Sequence, residues 1–385
     1  MEWPIKKLSD ICENLDSKRV PITKKDRIEG PYPYYGASGV VDSVSDYLFD
    51  EDLLLVSEDG ANLLARTYPI AFSISGKTWV NNHAHVLRFP SLVSQRFVEY
   101  YLNSISLKDY VSGMAQPKLN QKSLNSILIP DPEHNVKSEI VDFLDKAFAD
   151  IDQARLNTEK NLRNARELFD SYLQQMFSEC GDYWEETNLG AISELKNGLN
   201  YTQSSKGELV KIVGVKNFKD KFYISNDELD TVQIDGTLSE AYHAKDGDIF
   251  IVRSNGNKAL IGRSVLAKGV TGKVSHSGFT IRVRLSSSAI LPSYLTHYLK
   301  SKHVHNLLIR SGEGANISSL NQKALSSLPV RFPERNEQLR LVHDIEAIQS
   351  KTMALVDVYQ QKLAALDELK QSLLQQAFTG QLTQG

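Results

Sequence analysis

Few residue groups in this chain have the types and spacing that chemistry requires. Ser75-Gly76-Lys77-Thr78 has the composition of the closing half of a phosphate loop, where backbone amides and a lysine hold a triphosphate. That loop also needs a glycine five residues before Gly76, where Ala71 stands, and Trp79 follows where a helix should open, so nucleotide binding is not expected there. His83 and His85 could share one face of a strand and hold a metal, but no cysteine or carboxylate of suitable spacing accompanies them. A packed or DNA-facing pair is the better reading. His303 and His305, two apart on an expected helix, point in different directions. No Gly-x-Ser-x-Gly elbow or His-Glu-x-x-His helix occurs. The 12 prolines include no Pro-Pro pair of the kind with which an amino-methyltransferase grips a flipped base. The sequence predicts a non-catalytic chain without a metal site, and Cys12 and Cys180 read as thiols of a reducing cytoplasm.

The elements must therefore serve binding. At 385 residues, 41% hydrophobic and 24% charged, the chain is long enough for two cores and sits in the soluble globular range. Apolar runs such as Leu53–Val56 are too short to span a membrane, and the acidic, Pro-containing start predicts no export signal. The expected location is cytoplasmic. Net charge is −3, but it is divided: Glu185 to Pro333 holds 19 Lys+Arg against 13 Asp+Glu, whereas residues 133–184 hold 6 against 11. A basic module beside an acidic one raises a nucleic-acid hypothesis.

The chain also repeats itself. "LNQKSLNSILIPDP" at 119–132 recurs as "LNQKALSSLPVRFP" at 320–333, a displacement of 201 residues. At the same displacement Leu173, Gln174, Gln175 and Phe177 fall on Leu374, Gln375, Gln376 and Phe378. Upstream, Trp3 and Leu8 align with Trp184 and Leu189, and Gly60 with Gly256, across loop insertions. Each copy opens with β-like runs ("DLLLVS", "AHVLRF"; "DIFIVR", "FTIRVRL") and one helical stretch, "SQRFVEYYLNSISLKDYV" or "PSYLTHYLKSKHVHNLLI". Gly and Pro then vanish from Glu133 to Cys180 and from Glu334 to Thr379, predicting helices of about 65 Å. Ile140, Leu144, Ala147, Ile151 and Ala154, resumed by Leu162, Ala165, Phe169 and Tyr172, form a coiled-coil seam in the first. Leu341, Ile345, Ile348, Leu355, Tyr359, Leu366 and Leu373 form one in the second, with Thr158 and Thr352 as polar interruptions. Antiparallel pairing of the two helices would cover both stripes.

The duplicated junction before each long helix, the ending "LKQSLLQQAFTGQLT" and the run 56–87 resemble the specificity subunits of type I restriction-modification systems. The resemblance covers nearly the whole chain. It departs at Val136-Lys137, where a Glu-Gln pair is usual (present as Glu337-Gln338), and at Gln381 in "TGQL". It implies an α+β fold: two mixed α/β target recognition domains (1–132 and 181–333), each followed by a long helix (133–180 and 334–379), the helices pairing as an antiparallel coiled coil, with a tail at 380–385. The implied function is sequence specificity: each domain reads half of an asymmetric bipartite site in double-stranded DNA, and the helices set the spacer and dock two methyltransferase subunits. A separate motor-nuclease restriction subunit completes the complex. This chain would need no cofactor; S-adenosylmethionine, ATP and magnesium would belong to the partners. By residue type, the expected DNA contacts are Arg66, Lys77, Asn81 and Asn82 in the first domain, and Arg253, Asn255, Asn257, Lys258 and Lys273 in the second, combining phosphate-binding cations with amides that read adenine. Gly60 and Gly256 would allow close backbone approach, and "PYPYYGASG" at 31–39 could stack on DNA or pack beneath a turn. The alternatives are the same role beside a fused methyltransferase-nuclease, and a protein-binding coiled-coil scaffold.

Overall fold

The structure is a computed structural model and describes residues 3–113, 116–178, 181, 183–219, 221–310 and 319–379; Cys180 and the tail 380–385 lie outside the described residues. It is a mixed α+β fold that contacts divide into two units, residues 1–159 with 361–385, and residues 160–360. Among the described residues no helix is long and apolar enough to cross a membrane.

In the first unit, strand Leu53–Ser57 lies between antiparallel Ala71–Ile74 and Ala84–Arg88, with Glu13–Asn14 beyond the latter. Leu54 and Val56 enter a core with Phe97 and Leu124, whereas Leu53 and Leu55 enter another with Val80 and Val86. Both faces of the strand are covered, which is why it reads as an unbroken apolar run. A second sheet orders Gly39–Val44, Tyr32–Gly36, Lys77–Val80 and Phe49–Asp50, with its middle pair parallel. The second unit repeats the central device. Strand Ile249–Val252 lies between Thr280–Leu285 and Ser264–Ala267, with Ile249 and Ile251 in one core and Phe250 and Val252 in the other.

The sequence repeat forms the same local structure twice. Asn120 and Asn321 each cap a short helix, Gln121–Asn125 and Gln322–Ser326, their Oδ1 atoms accepting from Ser123 N at 2.9 Å and Ala324 N at 2.8 Å. Ile127 O accepts from Leu8 N, and Leu328 O from Leu189 N, both at 2.9 Å. Leu8 and Leu189 are fully buried, and each begins a short helical turn. Each unit then closes with a two-stranded ribbon, Ile5–Lys7 with Leu128–Pro130 and Glu185–Asn188 with Pro329–Phe332.

The long helices span His134–Ser178 and Arg335–Phe378, and the division between units falls inside both. In the first unit, residues 134–159 and 361–378 are bridged by Arg155 to Asp367 and by Lys370 to Asp152, and the Lys370 ammonium lies 4.7 Å from the Phe148 ring centre. Phe378 meets Phe97 and Tyr101 edge to face, at 5.3 and 5.2 Å between ring centres. In the second unit Phe177 meets Tyr294 and Tyr298 in the same manner, at 5.6 and 5.4 Å. Each unit's core therefore receives the end of one long helix, at the two positions that the repeat aligned.

Three expectations need correction. Leu355 is 41% exposed, so the second seam runs instead through Ile345, buried Thr352 and half-buried Tyr359. The stretch 292–309 is two helices, Pro292–Lys300 and Lys302–Arg310, because the Ser301 hydroxyl accepts from Val304 N and starts a new helix. In the first unit the helix ends at Ser104, where the Arg66 guanidinium donates to the Leu102 and Ile105 carbonyls.

Candidate nucleic-acid interface

At one end of each central strand the backbone is tied to the repeated junction. In the first unit the chain leaves Leu53–Ser57 through Glu58, Asp59 and Gly60. Gly60 has φ +108°, a conformation that side chains rarely adopt, and its amide donates to Pro117 O at 3.0 Å. The Leu119 amide donates to Glu58 O at 2.8 Å. In the second unit the matching bond runs from the Leu320 amide to Arg253 O at 2.7 Å. One scaffold position, held by the same backbone bond, thus carries Glu58 in one unit and Arg253 in the other.

Charge follows that difference. Burial pushes the Glu58 carboxyl up, but Arg19 at 2.7 Å, His85 and Lys118 at 3.2 Å outweigh it and hold it below its ordinary value. Burial likewise opposes Asp16, whose carboxyl is nevertheless lowered by His85 at 2.6 Å, the Val86 amide and Arg19. The second His85 nitrogen lies 2.7 Å from Leu119 O, so this buried ring links the carboxylate to the junction. His83 is exposed, with Asp59 at 2.7 Å. The histidine pair therefore divides: His85 is packed, and His83 faces outward beside an acid. In the second unit His276 is buried against Phe250, and burial, aided by the nearby Arg282, pushes its imidazole down to about 3. Among the described residues no group of three or more His, Cys, Asp or Glu could hold a metal. Cys12 donates to Leu8 O, and burial pushes its thiol up to about 12, which disfavours the nucleophilic thiolate.

The expected contact residues fall into different roles. Arg66, at φ 54°, is half-buried and engaged at the helix end, so its charge is committed to carbonyls rather than offered to phosphate. Asn81 is buried, and its Oδ1 accepts from His83 N at 2.8 Å, which shapes the turn that presents exposed Asn82. Lys77 is exposed, its ammonium 4.7 Å from the Tyr47 ring centre and 5.9 Å from that of Tyr32. In "PYPYYGASG", Tyr34 is buried beneath the Arg27 guanidinium, whereas Tyr32 joins the cluster around Lys77. Asn255 accepts from Asn257 N, and Asn257 from Ala259 N, so both amides build the turn carrying exposed Lys258 and Gly256. Lys273 pairs with Glu208, whose carboxyl is held below its ordinary value by that contact. Arg253, Asn255, Asn257 and Lys258 lie on one turn; Lys273 lies on a separate segment, its side chain 60% exposed beside Glu208. Arg19 and Lys118 were not legible from the sequence, because their partner Glu58 is remote in the chain.

The model of the type I restriction modification DNA specificity domain matches residues 1–160. A Haemophilus influenzae protein provisionally named a type I restriction enzyme specificity subunit is 26% identical over 366 residues, covering 93% of this chain and 90% of its own. The StySPI specificity subunit of Salmonella potsdam is 25% identical over 347 residues, covering 82% of this chain and 74% of its own. The chain is thus similar over most of its length to specificity subunits of type I restriction enzymes, and its first 160 residues match the DNA specificity domain. Solved structures agree on the fold. A chain from a study of type I system assembly superposes with a TM-score of 0.73 at 15% identity, over 98% of this chain and 97% of that one. The HsdS subunit of Thermoanaerobacter tengcongensis gives 0.58 at 16% identity, over 98% and 97%.

Proposed function

We propose that the globular parts, residues 1–132 and 181–333, are target recognition domains that each read one half of an asymmetric bipartite DNA site. The long helices pair as an antiparallel coiled coil, set the spacer and dock two methyltransferase subunits. Motor-nuclease subunits join that complex, and S-adenosylmethionine, ATP and magnesium are used by the partners. The observation that carries this reading is the shared backbone bond at Glu58 and Arg253: one scaffold is built twice, with different side chains at the same position. The Arg253 guanidinium favours guanine acceptors or phosphate, whereas the Glu58 carboxylate is already paired and holds the Arg19 and Lys118 cations in place. Within the first unit, the ion pairs between residues 134–159 and 361–378 support antiparallel pairing. Exposed Leu156, Leu168, Met353 and Val358 leave apolar helix surface for subunits to cover.

The test is a map of N6-methyladenine across the genome, with and without this gene and with partner genes intact. Loss of one bipartite, asymmetric motif is expected. If no motif disappears from a strain whose methyltransferase is active, the reading fails.

A further inference from the structure

Further bonds extend the match between the two units at this rim. In the first, the Glu58 amide donates to His83 O at 2.9 Å; in the second, the Arg253 amide donates to Phe279 O at 2.8 Å. Both residues close a turn built alike. Asn81 Oδ1 accepts from His83 N at 2.8 Å and Ser277 Oγ from Phe279 N at 3.3 Å, and a strand opens at the next residue, Ala84 or Thr280. Isolated antiparallel bridges, Asp59 with Lys118 and Ser254 with Ser319, match as well. His83 and Phe279 therefore hold one position in the repeated scaffold, and the side chains there differ in kind. His83 is exposed and stands 2.7 Å from Asp59. Phe279 is 59% exposed although Ser277 and Thr280 beside it are buried, and its ring joins none of the apolar cores described. A single exposed apolar side chain is ordinary, and this one is distinguished by its place. Phe279 O also accepts from the Ser254 amide at 3.3 Å, which fastens it to the start of the turn carrying Arg253, Asn255, Asn257 and Lys258. Beside cations and amides suited to phosphates and base edges, a phenyl ring has nothing to offer a phosphate. The apolar group that a base edge presents in the major groove is the C5-methyl of thymine.

We propose that Phe279 is a specificity-determining residue: its ring covers the C5-methyl group of one thymine in the half-site read by the second unit. The proposal rests on the reading of the globular parts as target recognition domains. Because the Phe279 backbone is already held by Arg253, Ser254 and Ser277, the ring is presented with little freedom left to lose on contact. Covering one methyl group is worth a factor of about four in affinity. The first unit carries His83 beside Asp59 at this position, so the preference is confined to one half of the site.

The test uses the full chain assembled with its methyltransferase partner, and duplexes carrying the motif that the methylation map reveals. Each thymine in either half is replaced in turn by deoxyuridine, a change that removes only the methyl group. Equilibrium binding should weaken about fourfold at one thymine, in the half-site where Arg253→Ala acts. In Phe279→Ala that difference should vanish, the thymine duplex falling to the level of its deoxyuridine counterpart. Phe279→His, which carries the first unit's side chain, should do the same and serves if Phe279→Ala does not fold. A thymine-uracil difference that survives in the folded variants overturns the proposal, as does the absence of any such difference in the unaltered chain. Weaker binding by Phe279→Ala without sensitivity to deoxyuridine also overturns it, and would place the ring between base pairs as a wedge. None of these failures touches the half-site reading itself, which fails only if the map shows no motif.

Discussion

At the scale of single residues, the units differ most in how they bury polar groups. His276 and His297 are both held neutral, at about 3, chiefly by burial. A histidine whose folded value is depressed takes up its proton more readily when unfolded, so stability is intact above the unfolded value near 6.5 and falls as pH drops from there toward 3. At pH 5 each group should therefore cost about 2 kcal/mol. Urea unfolding at pH 7.5 and 5 should show this loss in the second unit's signal, and His297→Gln should make the curve shallower; an unchanged slope counts against a neutral ring. Gln338 is fully buried, accepts from Leu291 N and donates to Ala289 O and Pro333 O. Gln338→Leu should cost about 3 kcal/mol by leaving those backbone groups unpaired, measurable by denaturant titration. The first copy solves the same position differently, with Lys137 paired to Asp131, which also holds Lys6 at 2.6 Å. The departure from the family's usual pair is thus compensated by a neighbouring acid.

At the scale of elements, the repeat was legible because it preserves caps and buried leucines, which act over three or four residues. The asparagine, the buried Leu124 or Leu325 and the returning strand all follow from local spacing. The seam of the last helix was less legible. Hydrophobicity favours Leu355, but the helical period passes through Thr352, and only packing decides which one turns inward. Leu355→Ser should accordingly shift stability by less than about 0.5 kcal/mol, whereas Ile345→Ala should cost about 2–5 kcal/mol. Thermal unfolding of both variants would check the assignment, and a large loss for Leu355→Ser would contradict it. The parallel pairing of Tyr32–Gly36 with Lys77–Val80 was beyond reach, since no local pattern names a partner 45 residues away, as Trp79 is from Tyr34.

At the scale of the whole molecule, the contact residues were the least legible part. Residue type put Arg66 and Lys77 in one class, but the fold spends Arg66 on helix carbonyls and leaves Lys77 exposed. The equivalence of Glu58 and Arg253 was hidden because loop insertions shift it out of the 201-residue displacement. Arg253→Ala should weaken discrimination at one half-site by about 1–3 kcal/mol and leave the other half unaltered. Methylation rates on duplexes with single changes in each half would measure this, and equal losses in both halves would refute separate reading.

The closing phenylalanine of the first unit, Phe378, comes from the far end of the chain. During synthesis at about 5–20 residues per second, the first unit must wait roughly 10–40 s after residue 160 for its last core segment to leave the ribosome. Until then the surface around Phe97 and Tyr101 lacks its contacts with Phe378, so the nascent chain is expected to be open to chaperones and proteases. A stop codon near the end should therefore remove a protein whose first 159 residues are intact in sequence, and abundance of the truncated chain in cells would report that dependence.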